Sequence, residues 1–155
     1  MSTHRIPILL GQAVVACAAA AGMALVSAGQ ASAAPIVTDH YIEVANCVGH
    51  SEFCPVNISD APSVTFNNGL FNPVVEFIAN PNHCSDMIAH IIFDGREWGS
   101  NVVHPGGSDG GYEIDAGSGK HTVGVQAEGI PGGCNTGYVG AWGGTLRITV
   151  MGSLN

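Results

Sequence analysis

From His121 the chain runs HTVGVQAE, and its apolar and polar positions alternate: His121, Val123, Val125 and Ala127 share one face, Thr122, Gly124, Gln126 and Glu128 the other. Successive side chains point to opposite sides of a strand, so this pattern predicts one buried face and one wet face. The C-terminal run behaves alike, with Leu146, Ile148 and Val150 on one side and Thr145, Arg147 and Thr149 on the other. Met87 to Phe93, MIAHIIF, is apolar nearly throughout and predicts a central strand. Asp94-Gly95 follows at once and marks a tight hairpin, because both turn positions require positive φ; the partner strand is Arg96–Val103. Further strands are expected at Thr38–Ala45, Ser63–Asn67, Val74–Ala79 and Tyr112–Ile114.

No apolar stripe of helical period crosses this part of the chain, and Gly, Pro, Asn and Asp punctuate the short runs. The reading is an all-β, two-sheet antiparallel sandwich. Two glycine-rich stretches, His104–Tyr112 and Gly129–Gly137, are expected to be long polar loops, the first of them flexible and solvated.

The first 33 residues are set apart by pattern. Arg5 is followed by an apolar, Ala-rich run and then Ala31-Ser32-Ala33, and no charge appears again until Asp39. That order of basic, apolar and small residues is an export signal, leaving residues 34–155 as one domain and placing it outside the cell or in the cell envelope. Val14-Val15-Ala16-Cys17 supports an alternative, attachment to a lipid through Cys17, although Ala18 to Val26 would then make an unusually apolar start.

Charge and cysteine content narrow the rest. Residues 34–155 hold three basic residues against twelve acidic ones, a formal charge of −9. A field of that sign repels phosphate backbones, so nucleic acid is not an expected partner. Cys47, Cys54, Cys84 and Cys134 make an even set in an exported chain and imply disulfides, with three pairings open. Their spacing contains no CxxC knuckle of the kind zinc sites use.

The motifs that suggest chemistry mostly dissolve on counting. Gly-Ser-Gly-Lys at 117–120 hints at a phosphate loop, but the first glycine that loop requires falls on Ile114, His121 stands where Ser or Thr is needed, and a strand pattern follows. Asp109, Glu113 and Asp115 alternate with glycines in a loose calcium-like pattern, without the order of an EF-hand. There is no Gly-x-Ser-x-Gly elbow. His40, His50, His83, His90, His104 and His121 lack helical metal-ligand spacing; His90 and His121 read as core or corner residues, and His50, His83 and His104 as loop residues. No cofactor is implied.

The order of features from Met87 to Val150 resembles the C-terminal half of bacterial immunoglobulin-like domains, in which a strand enters an Asp-Gly hairpin and a later turn opens a His- or aromatic-led strand. The matching segments are IIFDG at 91–95 and AGSGKHTVGVQAEG at 116–129. The resemblance concerns fold alone. It implies an immunoglobulin-like sandwich with His121 at the strand corner. It also implies that the loops carrying Cys84 and Cys134 lie at one end, which pairs Cys84 with Cys134 and leaves Cys47 with Cys54.

Four aromatics are the candidate ligand-binding residues: Trp98 after the hairpin turn, Tyr112 closing a loop, and Tyr138 and Trp142 in the glycine-rich final segment. Rings exposed on a rigid frame suit proteins or sugars, although a sandwich tryptophan is often core. The expected function is a non-catalytic binding or interaction protein. A carbohydrate-binding module or weak glycan hydrolase would need Trp98 or Tyr138 beside Glu113 or Asp115, and a structural envelope component is the third reading.

Overall fold

The structure is a computed structural model, and it describes residues 34–47, 51–134 and 136–152. The segment read as an export signal, the Cys17 of the lipid-attachment alternative and His50 lie outside the described residues. Nine strands follow in order: β1 (Pro35–Val44), β2 (Phe53–Cys54), β3 (Ser63–Asn68), β4 (Val74–Ala79), β5 (Met87–Phe93), β6 (Arg96–Val103), β7 (Tyr112–Glu113), β8 (Gly119–Gly129) and β9 (Trp142–Met151). One sheet has the order β1-β9-β4-β7; in the other β8 lies beside β5, which pairs with β6, and β2 and β3 share the remaining edge of β8. Every ladder is antiparallel.

The inward faces of the two sheets make a single core. Ile42, Val75, Phe77, Leu146 and Ile148 come from the first sheet, and Ala89, Ile91, Val123, Val125 and Ala127 from the second. At roughly 1.5–3 kcal/mol for burying each large aliphatic or aromatic side chain, this layer is the main stabilising term. Asp94 and Gly95 adopt φ of 46° and 79°, the doubly positive geometry that the β5–β6 hairpin requires. β5 is the central strand its composition implied, buried at every position except Ile88, which is partly buried.

Both disulfides form as the resemblance implied. Cys47 pairs with Cys54 and Cys84 with Cys134, at Cα separations of 5.5 and 5.8 Å. Cys54 is fully buried, and its carbonyl accepts a 2.9 Å hydrogen bond from Nε1 of Trp142.

The structure corrects three expectations. The outer face of β8 is not wet in its middle: Gly124 and Gln126 are buried, because Gln126 Nε2 donates to the carbonyls of Pro55 and Val56 in the connection from β2 to β3. β9 starts three residues early, through Gly143 and Gly144, where a hairpin loop was expected. A Cβ at Gly144 would run into the Phe77 ring, so glycine there is demanded by close packing and does not end the strand. The 104–112 loop is tied down, with the amides of Ala79 and Asp109 bonding across it to Gly107 and Phe77. Asp109 itself is buried at 3 % exposure.

No helix among the described residues is long and apolar enough to cross a membrane.

Candidate functional site

At the end of the sandwich where β1 and β4 finish and β5 and β9 begin, an open cleft of about 560 Å3 lies between the β4–β5 and β8–β9 loops. The Cys84–Cys134 disulfide joins these two loops and forms part of the lining. Ser85 reinforces the junction: its Oγ donates to the Gly132 carbonyl at 2.8 Å and accepts from the Cys134 amide at 3.0 Å.

The wall on the β1 side is built by a chain of polar contacts. Asn80 Nδ2 donates to the Tyr41 hydroxyl at 3.0 Å, and that hydroxyl donates to Glu43 Oε2 at 3.0 Å. These bonds hold the phenol end while the ring stays 60 % exposed. Gly143 makes the arrangement feasible, since a Cβ there would stand 3.0 Å from both Asn80 Nδ2 and the Tyr41 hydroxyl. The Gly143 amide donates to His83 Nε2 at 3.2 Å, which that nitrogen can accept only when it carries no hydrogen. Burial also pushes the His83 imidazole below its ordinary value.

Tyr138 also lines the cleft and is 51 % exposed. Trp142 lies beneath, 4 % exposed, its ring edge-on to Phe77 at 5.7 Å. Asp86 completes the rim and faces His104 Nδ1 at 2.8 Å. The cleft thus combines two exposed phenol rings, amides, and two carboxylates already engaged with neighbours.

The four candidate aromatics do not form one surface. Tyr138 and Trp142 line the cleft. Trp98, 43 % exposed, packs edge-on to Phe93 at 6.1 Å at the other end of β5. It is the extra residue of a bulge, where Ile91 pairs with Gly99 and Ile92 with Glu97. Tyr112 lies against Gly99, whose missing side chain makes room for the ring. Trp142 departs from the expectation of an exposed ligand platform, because its ring belongs to the core.

The calcium-like trio is also dispersed in role. Asp109 Oδ1 accepts from the amides of Phe77 and Gly111, each at 3.0 Å, and Oδ2 is buried with no partner. Burial raises its carboxyl above the ordinary value, against the lowering effect of those amides. Glu113 is exposed and takes Asn72 Nδ2 at 3.1 Å, and Asp115 is exposed. No group of three or more His, Cys, Asp or Glu side chains among the described residues is placed to hold a metal ion. Glu113 pairs with Val74 at the start of β4, whereas the cleft begins at Asn80, so about 20 Å of strand separates them.

Two histidine constellations lie outside the cleft. His90 is buried on β5 with Nδ1 at 2.9 Å from Glu97 and Nε2 at 2.8 Å from Glu128. The carboxylates occupy opposite ring nitrogens, so they bracket the ring and do not converge on one point. His121 is held by Asp94 through Nδ1 at 2.8 Å and by the Gly117 carbonyl through Nε2 at 2.9 Å, with its ring stacked on Phe93.

The sequence reading missed Tyr41, Asn80 and Asp86 as cleft residues and placed His83 only in a loop. Their positions in the chain are too far apart to suggest convergence, and Tyr41 alternates on β1 like any outward strand residue. Comparison with known proteins returned no match to a protein-family model, a curated protein or a solved structure.

Proposed function

We propose that this chain is an immunoglobulin-like, exported, non-catalytic binding protein and that its ligand site is the cleft lined by Tyr41 and Tyr138. The export pattern of residues 1–33 and the two disulfides support an extracellular or envelope location. The observation that carries the binding reading is the cleft, whose volume lies within the range of about 300–1,000 Å3 common to ligand sites. Its rings stand on a frame braced by the Cys84–Cys134 bridge, so little ordering is required when a partner arrives.

The polar groups favour binding over catalysis. Glu43 accepts from Tyr41, His83 accepts from Gly143, and Asp86 faces His104. These three groups are each engaged with a neighbour. Glu113 and Asp115 lie far from Tyr138, so the pairing that a hydrolase reading needs on the cleft side is not favoured.

Retention of the labelled protein on cell surfaces and on a glycan array tests this reading. Tyr41→Ala with Tyr138→Ala is expected to abolish retention and Trp98→Ala to leave it intact. The opposite result, dependence on Trp98 alone, would move the site to the bulged end of β6.

A further inference from the structure

The charges of the domain are distributed unevenly with respect to the cleft. Its lining includes Glu43 and Asp86 and, among the described residues, neither Lys nor Arg. Of the three basic residues after position 34, Arg96 opens β6 beside the hairpin turn and Lys120 lies near the start of β8, both at the opposite end of the strands. Arg147 is held by Asp39 through two hydrogen bonds of 2.8 and 2.9 Å and lies 3.6 Å from Glu76. His83 in the lining turns its Nε2 to the Gly143 amide as an acceptor. An anionic ligand would therefore meet carboxylates and, among the described lining residues, no Lys or Arg to receive it.

A cationic ligand meets the reverse. Exposed tyrosines such as Tyr41 and Tyr138 attract a positive head through the ring quadrupole, and Glu43 and Asp86 add charge of the complementary sign. The net charge of −9 on residues 34–155 steers such a ligand inward from a distance. An arginine or lysine side chain also brings an alkyl stem that can lie along an aromatic wall.

Resting on the binding reading above, we infer that the cleft takes a basic peptide segment, with a Lys or Arg side chain seated against the tyrosines of its lining, Tyr41 and Tyr138, and its charge directed to Glu43 and Asp86. The hydrogen bond from Asn80 Nδ2 holds the Tyr41 hydroxyl in place.

Amide NMR of the purified full chain, titrated with acetyl-tetralysine amide, acetyl-tetraglutamate amide and cellotetraose in parallel, tests the inference. Tetralysine is expected to shift the amides of the cleft and to bind less tightly as salt rises. Tyr138→Ala and Asp86→Asn are each expected to weaken it about tenfold or more, while Asp115→Asn, at the far end, leaves it unchanged. Both cleft residues are at the rim, and Asp86→Asn keeps shape should Tyr138→Ala disturb the loop. Equal weakening by Asp115→Asn would show diffuse charge attraction and overturn the proposal. Binding of tetraglutamate or cellotetraose in the cleft without tetralysine would overturn the cationic assignment and leave the binding reading standing. Silence of the cleft amides with all three probes also overturns it, and the cell-surface retention of the cleft variants then decides the binding reading separately.

Discussion

Asp94 in the β5–β6 turn grips His121 on β8: its Oδ2 lies 2.8 Å from Nδ1, while its Oδ1 accepts the Thr122 amide at 2.8 Å. The same residue supplies the positive φ of the hairpin. One side chain thus joins a turn to a strand that begins more than twenty residues later.

This clamp predicts a pH signature. The bond from Asp94 is the largest reason that His121 titrates above its ordinary 6.5, helped by the Gly117 carbonyl. Partial desolvation pushes Asp94 upward, but its bonds from Thr122 and His121 prevail and hold it below 3.8. A raised histidine contributes stability that is complete below 6.5 and is lost as pH rises through the folded value. A lowered carboxyl contributes above 3.8 and loses its contribution as pH falls through its depressed value. The melting temperature difference between the protein and His121→Ala is therefore expected to be widest between 3.8 and 6.5 and to narrow on both sides. A difference that does not vary with pH would refute the clamp.

Asp109 gives a second test, with the opposite sign for a carboxyl. Burial raises its folded value, so ionisation costs stability as pH rises above 3.8 through that value. Asp109→Asn keeps an oxygen for the Phe77 and Gly111 amides and is expected to be neutral or stabilising at pH 7. Asp109→Ala leaves both amides without that acceptor and should cost about 2–6 kcal/mol in urea unfolding, at about 1–3 kcal/mol for each stranded group.

The two disulfides should behave differently. Their sequence separations are 50 and 7, which in the chain-entropy account correspond to about 4 and about 2 kcal/mol. Cys84→Ala with Cys134→Ala is thus expected to lower unfolding free energy more through chain entropy than loss of the smaller loop does. Cys84 and Cys134 are exposed and Cys54 is buried, so a dithiol is expected to open the Cys84–Cys134 bridge first. Mass spectrometry of alkylated thiols after partial reduction reads the order directly.

Gly143→Ala probes the cleft wall without removing a recognition group. The added methyl would meet Asn80, Tyr41 and Glu43 at 3.0–3.2 Å, displacing the ring that the Asn80 bond holds in place. The expected outcome is about 1–3 kcal/mol of lost stability, together with loss of the ligand that the native cleft retains. Thermal melting and the retention assay measure the two effects on one preparation.

Much of the architecture was legible because strand patterns are local. The bounds of β4 and β5 follow the apolar runs residue for residue, and β6 lies where the Asp94-Gly95 turn, with its positive φ values, places a partner strand. β2 was not legible: it spans only Phe53–Cys54, too short for alternation to register. Its pairing comes from the long edge of β8 that receives it. The early start of β9 was hidden for another reason, since Gly143 and Gly144 look like a turn until Phe77 and Tyr41 are seen against them.

The amino-acid sequence by itself determined the all-β class, the acidic charge and the even cysteine set, because each depends on composition or on neighbours a few residues apart. The tertiary structure decided which residues meet. Tyr41, Asn80, His83, Asp86 and Tyr138 converge only because β1, β4, β5 and β9 reach the same end of the two sheets and a disulfide ties the connecting loops there. Trp142 went to the core, and Trp98 to the far end of its sheet, for the same reason. Alternation says which face of a strand a side chain takes, whereas sheet order and register say what that face meets.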